Sequence, residues 1–395
     1  MPAKHYANYP VVPGDTNDFV TVPKGTKGLA VWGPYQHLDP GRYDVTFEIV
    51  PLEFEDQDHA CCVIDIAADV GKEILLQRSI SVRHLVDCQN QITVTFDLLK
   101  SSRVEYRVAA TGATSFRVGY RRLAYPIELR GQSSRIEQNP LYRENYDRII
   151  VLEAGGVRFS MGQETLIARV NGLVVEVENS EDLQLLDEIF LSNEYNILPI
   201  RRSVAIDIGM NIGLASLAFA CNPRVETVFA YEPFAAPFKR AIQHFRLNPD
   251  CSARVRPMNC GLADREEELE IRSNSGATIG VSIRGATSGN LERIRIRDAA
   301  QELGPKIDEA SRRELGVVMK IDCEGSEFAI FESLKRASLF EKIDAFMIEW
   351  HRWWSADMTQ ANLIAPLQEA GFIVFDRTNP VNPHAGFLQA VRAAR

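Results

Sequence analysis

Residues 205–216 read AIDIGMNIGLAS and combine the residue types of a ligand-binding turn. An apolar, strand-like run ends at Asp207, glycines follow at Gly209 and Gly213, and Asn211 lies between them. Glycine lets the backbone approach a ligand closely, and a helix that starts after such a turn presents its N-terminal N–H groups. The pattern therefore predicts a cofactor loop between a strand and a helix.

The spacing within this loop separates two classes of cofactor. A dinucleotide fold uses G-x-G-x-x-G, in which the middle glycine lets the backbone reach a pyrophosphate. Here Asn211 takes that position. The carboxylate of Asp207 would repel a diphosphate and attract a ligand that carries ammonium and sulfonium charges. These features favour S-adenosylmethionine over a nicotinamide dinucleotide.

Glu232 is the second residue of the predicted cofactor site. It ends the strand-like run VFAYE, roughly twenty residues beyond the loop, where a carboxylate can accept hydrogen bonds from both ribose hydroxyls. Two structural alternatives remain open at this point. Glu232 could be a solvated acid at a helix start before Pro233, and the two glycines could serve tight strand-to-helix packing alone.

Acidic residues and a histidine follow two later strand-like runs. The run MKIDCEGSE contains Asp322, Glu324 and Glu327, and the run FMIEWH contains Glu349 and His351. Parallel strands end at one edge of a sheet, so both runs should face one crevice.

Methyl transfer from a sulfonium requires a positioned acceptor and, for an alcohol, a base. We predict His351 as that base, with Glu349 orienting its ring and Asp322 as the third catalytic residue. Anchoring of the following turn is the structural alternative for Asp322. Pairing with the helix dipole is the alternative for Glu324 and Glu327.

The spacing of histidines and cysteines predicts no metal site. The seven histidines are scattered, and the seven cysteines lack a CxxC or zinc-type pattern. Crowded carboxylates around a divalent cation remain the open alternative. The cysteines are expected to be reduced and mostly buried.

The second half of the chain resembles the FkbM family of S-adenosylmethionine-dependent methyltransferases. The matching stretches, in the family's order, are AIDIGMNIG, YEPFAAPFKRAIQHFRLN, MNCGLAD, VVMKIDCEGSEFAIFESL and FMIEWH. The resemblance implies an α/β fold of the class I methyltransferase type, with a Rossmann-like, seven-stranded, mostly parallel sheet. It also implies cofactor contacts to the methionine part by Asp207, Gly209, Asn211 and Gly213, to the ribose by Glu232, and near adenine by Asn259 and Asp264.

The length of 395 residues predicts two core-forming units. Residues 1–126 contain short alternating runs typical of an all-β sandwich. Residues 127–200 are predicted as a polar linker and a β/α lead-in, and residues 201–395 as the methyltransferase domain. The front domain weakly resembles β-sandwich modules of bacterial glycan-active enzymes. We interpret its aromatic residues Trp32, Tyr35 and Tyr43 as core or turn residues, with a sugar-binding surface as the alternative.

Composition and charge exclude several partners. A net charge of -9 without a long Lys/Arg run argues against nucleic acid. No apolar stretch approaches the roughly 20 residues of a membrane helix, and the N-terminus lacks a signal-peptide core. We therefore expect a cytoplasmic protein with a small-molecule or glycan acceptor, with self-association left open.

The predicted activity is O-methylation of a hydroxyl on a sugar, glycan or polar secondary metabolite. The alternative from another class is a glycan-binding or scaffold protein whose methyltransferase-like domain is inactive. The intact Asp207, Asn211 and Glu232 favour the enzyme.

Overall fold

The computed structural model describes residues 6–7, 19–54, 56–119, 124–126, 136, 139–162, 165–196, 201–273, 290–352, 358–379, 382 and 384–392. The chain divides into two compact units. The first comprises Met1–Gly172 with Glu176–Leu183, and the second Leu173–Val175 with Gln184–Arg395. Within the described ranges, no helix is both long and apolar enough to cross a membrane.

The front part of the first unit is built from strands in which buried and exposed side chains alternate. The elements are β1 (Tyr6–Ala7), β2 (Phe19–Val22), β3 (Gly28–Trp32), β4 (Gln36–Leu38), β5 (Gly41–Glu53), β6 (Ala60–Ala68), β7 (Glu73–Ser81), α1 (Val82–Asp87), β8 (Gln91–Leu98), β9 (Ser102–Ala110), β10 (Ser115–Gly119) and β11 (Ala124–Pro126). The β-rich character agrees with the prediction from alternation.

These strands form two antiparallel sheets. One has the order β1-β3-β9-β6-β7, with β4 also paired to β9, and the other has the order β11-β5-β10-β2, with β8 paired to β5. Side chains from both sheets, among them Phe47, Ile64, Tyr106 and Phe116, belong to one hydrophobic core. Burial of this shared apolar surface stabilises the pair of sheets.

A mixed segment follows the two sheets. Its elements are α2 (Pro140–Glu144), α3 (Tyr146–Ala154), β12 (Arg158–Met161), β13 (Leu166–Val170), β14 (Leu173–Val177), α4 (Ser180–Leu186) and a π-helical turn (Asp187–Leu191). The side chain of Asn139 caps α2 by accepting from the Tyr142 N–H, and Pro140 suits its first turn. Acidic residues Glu181 and Asp182 occupy the first turn of α4, where the helix dipole favours them.

The second unit alternates strands and helices. Its elements are β15 (Ser203–Ile208), α5 (Leu214–Cys221), β16 (Val225–Tyr231), α6 (Ala235–Leu247), α7 (Pro249–Ser252), β17 (Val255–Met258), β18 (Gly261–Ala263), β19 (Glu267–Ser273), β20 (Asn290–Asp298), α8 (Ala299–Arg312), β21 (Gly316–Ile321), α9 (Glu327–Arg336), a 3-10 turn (Phe340–Lys342), β22 (Ala345–His351), α10 (Ala361–Glu369), β23 (Phe372–Asp376) and β24 (Ala385–Arg392).

The main sheet of this unit has seven strands in the order β17-β16-β15-β21-β22-β24-β23. The first five run parallel, whereas β24 is antiparallel to both β22 and β23. Strands β15 and β21 are buried along their whole length, as expected for central parallel strands. The carboxyl ends of β15, β16, β21 and β22 therefore open on one edge of the sheet.

The cysteine prediction requires a correction. Cys221, the last residue of α5, and Cys251, in α7, form a disulfide, so the expectation that all cysteines are reduced is wrong for this pair. Their sequence separation of 30 residues gave no signal, because only the packing of α5 against α7 brings their Cα atoms to 5.1 Å. Cys61, Cys62 and Cys260 are buried and reduced, as predicted.

Candidate functional site

The loop between β15 and α5 passes directly over the end of β21. Gly209 has φ +81°, and a Cβ added there would lie 1.6 Å from the carbonyl oxygen of Asp322. Gly213 has φ +86° and precedes α5, where an added Cβ would meet the ring of Phe245 at 2.8 Å. Only glycine fits these two positions, because each combines a left-handed backbone with contact on the Cβ side.

Glu232 connects this loop to the end of β16. Its carboxylate accepts hydrogen bonds from the backbone N–H of Asn211 at 3.0 Å and of Phe234 at 2.9 Å. Burial raises the pKa of Glu232 to about 7, although both N–H donors act in the opposite direction. Asn259 supports the same turn by donating from Nδ2 to the Glu232 carbonyl oxygen at 2.8 Å.

Asp207 is buried in the structure. The prediction that its carboxylate meets the cofactor directly therefore does not match its position. Its side chain is fully buried. It accepts a hydrogen bond from Ser216 Oγ at 2.6 Å and lies 3.3 Å from Lys320 Nζ. Burial raises the pKa of Asp207, and Lys320 partly offsets this effect. The carboxylate therefore links the first turn of α5 to β21.

Lys320 joins the cofactor loop to the acidic end of β21, and sequence reasoning missed it. Its ammonium donates to the Gly209 carbonyl oxygen at 2.6 Å and lies 3.2 Å from Asp322 Oδ2. Burial alone would lower the pKa of Lys320, but Asp322 and Asp207 raise it above its usual range. The available signal was a lysine within the apolar run GVVMKI.

The ends of β21 and β22 meet through Tyr195, another residue that sequence reasoning missed. Its hydroxyl lies 3.0 Å from Glu349 Oε2 and 3.3 Å from Asp322 Oδ2. Burial raises the pKa of Tyr195 well above its usual range, so the hydroxyl stays protonated and donates. No local motif marks Tyr195, because 127 residues separate it from Asp322.

His351 is buried among carboxylates at the end of β22. Its Nδ1 lies 3.0 Å from Glu327 Oε1, and its Nε2 lies 3.6 Å from Glu324 Oε2 and 3.7 Å from Glu349 Oε1. Burial alone would lower the pKa of His351, but Glu327 and Glu349 raise it to about 11. Glu327 also accepts the N–H groups of Cys323 and Gly325, so it anchors both the ring and the turn.

One cavity, whose volume of about 850 Å³ includes space open to solvent, connects most of these groups. The predicted site residues in its lining are Gly209, Asn211, Glu232, Asp322 and Glu349. Its lining also includes Glu324, a candidate from the sequence, together with Gln184, Glu188 and Ser326, which sequence reasoning did not place at a site. The predicted residues that do not line this cavity are Asp207, Gly213, Asn259, Asp264 and His351. The backbone carbonyl of Asp264 accepts from Arg336 at 3.2 Å.

The amino-acid sequence of the second unit matches a known protein family. Residues 207–374 match the model described as the methyltransferase FkbM domain. Residues 207–374 are similar to an FkbM methyltransferase domain. This confirms the family resemblance drawn from the loop, the Glu232 strand and the two acidic strand ends.

Several solved structures resemble the chain at low identity. Methyltransferase FkbM from Methylobacillus flagellatus has 16% identity and a TM-score of 0.34, and the match covers 54% of this chain and 56% of that one. TYW2 from M. jannaschii, solved in complex with AdoMet, has 12% identity and a TM-score of 0.31, over 59% of this chain and 89% of that one.

A third structure matches a shorter part of the chain. The C-terminal CBM6 of LamC, a marine laminarinase from Zobellia galactanivorans, has 13% identity and a TM-score of 0.17, over 26% of this chain and 89% of that one. The search of curated proteins finds no match.

Proposed function

We propose that the FkbM domain binds S-adenosylmethionine in this cavity and transfers its methyl group to a hydroxyl of a sugar, a glycan or another polar metabolite. One observation carries the proposal. The loop of Gly209 and Asn211, tied to Glu232, lines the same cavity as the strand-end acids Asp322 and Glu349. A cofactor loop and candidate acceptor-binding groups therefore share one chamber.

The cofactor half of the proposal follows from the loop and Glu232. Without a side chain at Gly209, the loop backbone can approach the methionine part closely. Each Glu232 oxygen accepts one backbone N–H and has a further lone pair that can accept from a ribose hydroxyl. The excess of carboxylates around the cavity suits a ligand with sulfonium and ammonium charges.

The acceptor half requires a group that takes the hydroxyl proton. Glu349 lines the cavity and its side chain is 34% exposed, whereas the His351 side chain is 5% exposed and its Nδ1 is bonded to Glu327. Geometry thus favours Glu349 as the base, with Asp322 and His351 as its neighbours, in place of the His351 base predicted from sequence. The acceptor oxygen would then attack the methyl carbon, and the C–S bond would break to leave S-adenosylhomocysteine.

The test is methyl transfer from labelled S-adenosylmethionine to a panel of hydroxylated sugars and metabolites, with amine and carboxylate acceptors in parallel. We expect label only on hydroxyl acceptors, with a loss of at least about a hundredfold in kcat for Glu349→Gln. Transfer to amines alone would reject the acceptor class. Cofactor binding without transfer to any acceptor would support the inactive scaffold.

A further inference from the structure

We propose that Asp322, Glu324 and His351 bind a divalent metal ion at the acceptor end of the cavity. One ligand atom from each of these side chains lies within 4.8 Å of the other two. Asp322 and Glu324 follow β21, and His351 ends β22, so the rigid sheet holds the set in place. Two carboxylates and one imidazole form a mixed ligand set, unlike a surface cluster of acids.

The hydrogen bonding of His351 suits a metal ligand. Its Nδ1–H donates to Glu327, a fully buried carboxylate, while Nε2 is directed toward Glu324 and Glu349. Histidines that bind metals nearly always donate their second ring N–H to a carboxylate or carbonyl in this way. Glu327 is itself held by the N–H groups of Cys323 and Gly325, so the ring orientation is fixed before a ligand arrives.

An independent observation at the same place comes from Ser326. Its residue is 3% exposed, it lines the cavity, and its Oγ has no hydrogen-bond partner among the described residues. Buried hydroxyls are almost always satisfied in folded proteins. An oxygen ligand in the cavity, such as a metal-bound water or the acceptor hydroxyl, would supply the partner.

The charge balance of the site also favours a cation. The cationic side chain in contact with the cluster is Lys320, because His351 is neutral when its Nε2 binds a metal ion. The carboxylates around the cluster and along the cavity are Glu188, Asp207, Glu232, Asp322, Glu324, Glu327 and Glu349. Buried carboxylates without compensation are costly, and a divalent ion compensates several of them at once.

The ligand types narrow the kind of ion. Carboxylate oxygens suit Mg²⁺, Ca²⁺ and Mn²⁺, whereas imidazole suits Zn²⁺ and other transition metals. A set with both types therefore favours Mn²⁺ or Zn²⁺ over Ca²⁺, which takes oxygen ligands alone. Three protein ligands leave coordination positions for the acceptor.

The role of the ion rests on the proposed methyltransferase function. A bound divalent ion acts as a Lewis acid that lowers the pKa of a coordinated hydroxyl. The acceptor O–H bond would break with its proton passing to Glu349, the new C–O bond would form to the sulfonium methyl, and the C–S electrons would stay on the thioether. The spacing in the sequence predicted no metal site because the ligands come from two strand ends, and Glu324 and His351 are 27 positions apart.

The experiment titrates the metal-stripped full chain with Mn²⁺ alone and follows free Mn²⁺ by electron paramagnetic resonance. We expect one Mn²⁺ per chain, with at least about tenfold weaker binding for Glu324→Gln and for His351→Ala. The matched control is Glu332→Gln, which removes an exposed carboxylate from α9 and should leave binding unchanged.

Parallel calorimetry with S-adenosylmethionine, after treatment with a chelator, separates this inference from the proposed function. Cofactor binding without Mn²⁺ binding would overturn the metal site and leave the methyltransferase proposal intact. Mn²⁺ binding without cofactor binding would support the metal site and overturn the methyltransferase proposal. If circular dichroism shows that His351→Ala does not fold, the variants Glu324→Gln and Asp322→Asn, at partly buried positions, provide the test. Unchanged Mn²⁺ affinity in both would overturn the site.

Discussion

At the scale of single residues, Glu232 is the group on which the cofactor half of the site depends. Its carboxylate holds the backbone of Asn211 and Phe234 and lines the cavity. Replacing Glu232 by glutamine removes the negative charge that accepts hydrogen bonds from the ribose hydroxyls and keeps the size of the side chain. We predict that Glu232→Gln lowers S-adenosylmethionine affinity by about 10- to 100-fold in calorimetry. Glu270→Gln, on the exposed side of β19, serves as the control and should bind as the native chain does.

The pH dependence of cofactor binding follows from the same residue. Burial raises the Glu232 pKa to about 7, so the unliganded site loses its proton as pH rises through neutrality. Because the ionised form accepts the ribose hydroxyls and attracts the cationic ligand, affinity should rise by about tenfold from pH 6 to pH 8. Glu232→Gln should flatten this profile in calorimetric titrations, and an equally steep profile in the variant would assign the titration elsewhere.

Lys320 supports a prediction about stability. Its buried ammonium lies between Asp207 and Asp322, so Lys320→Met would leave two carboxylates without their partner. We expect a loss of about 3–5 kcal/mol in the free energy of unfolding measured with urea. Lys342→Met removes an exposed lysine paired with Asp308 and should cost at most about 1 kcal/mol. Equal effects of the two changes would show that the buried bridge contributes no more than a surface pair.

The sequence indicated the residues whose position depends on local pattern. Asp207, Glu232 and Asp322 could be placed because each ends an apolar strand-like run. Lys320 and Tyr195 could not, because their roles come from partners that are distant in the chain and meet only when β15, β21 and β22 align. The contact of His351 with Glu327 likewise depends on how α9 follows its strand.

At the scale of elements, the site depends on the contact between the β15–α5 loop and the end of β21. The carbonyl of Asp322 occupies the space beside Gly209, and Asp322 N–H in turn donates to the Ile208 carbonyl at 3.0 Å. The alternation of strands and helices was predictable from periodicity. The strand order and the Cys221–Cys251 disulfide were not, since they follow from long-range packing.

A substitution at Gly209 tests this contact between elements. Gly209→Ala combines a left-handed backbone with a Cβ that would overlap the Asp322 carbonyl, so the loop must move away from β21. We expect about 2–4 kcal/mol of lost stability together with loss of cofactor binding.

The matched control is Gly304→Ala in the middle of α8. Apart from its chain neighbours and the helix's own backbone, an added Cβ there meets nothing nearer than 3.9 Å. This change should alter the free energy of unfolding by less than about 1 kcal/mol, because the better helix propensity of alanine is offset by the contact of its Cβ with Pro305. It should leave cofactor binding unaltered. Retained cofactor affinity in Gly209→Ala would contradict the close approach of the loop to its ligand.

At the scale of the whole molecule, the chain joins an α/β unit with the FkbM domain to a β-rich unit of separate core. The length predicted two core-forming units, and the domain bounds 1–126, 127–200 and 201–395 stay a prediction. The sequence does not indicate the function of the β-rich unit. Its buried aromatic residues, such as Tyr43 and Tyr106, pack in the core, so their pattern in the sequence does not mark a binding site. That the β-rich unit assists acceptor binding or self-association stays a prediction. The cytoplasmic location of the protein stays a prediction as well.

The β-rich unit should give the whole chain a pH-dependent stability. Burial raises the pKa of Glu153, in α3, to about 8, against the offsetting effects of Arg158 and a backbone N–H. The folded state thus holds a proton that the unfolded chain releases above its ordinary pKa near 4.5. Stability is therefore highest at acidic pH and falls as pH rises from about 5 toward 8.

Calorimetric unfolding of the full chain at pH 5, 7 and 9 checks this expectation. The loss for the transition of the β-rich unit should be on the order of 4 kcal/mol. Glu153→Gln keeps an acceptor for the Gln36 amide, which lies 3.4 Å from the carboxylate, and should remove most of the pH dependence. If the native chain and Glu153→Gln lose the same stability as pH rises, the pH dependence comes from groups other than Glu153.

The most direct test of the central claim is calorimetric titration of the full chain with S-adenosylmethionine, with NAD⁺ in a matched titration. The account predicts one S-adenosylmethionine bound per chain, no NAD⁺ binding, and weakened cofactor binding in Glu232→Gln. Binding of NAD⁺ without S-adenosylmethionine, or S-adenosylmethionine affinity indifferent to Glu232, would contradict it.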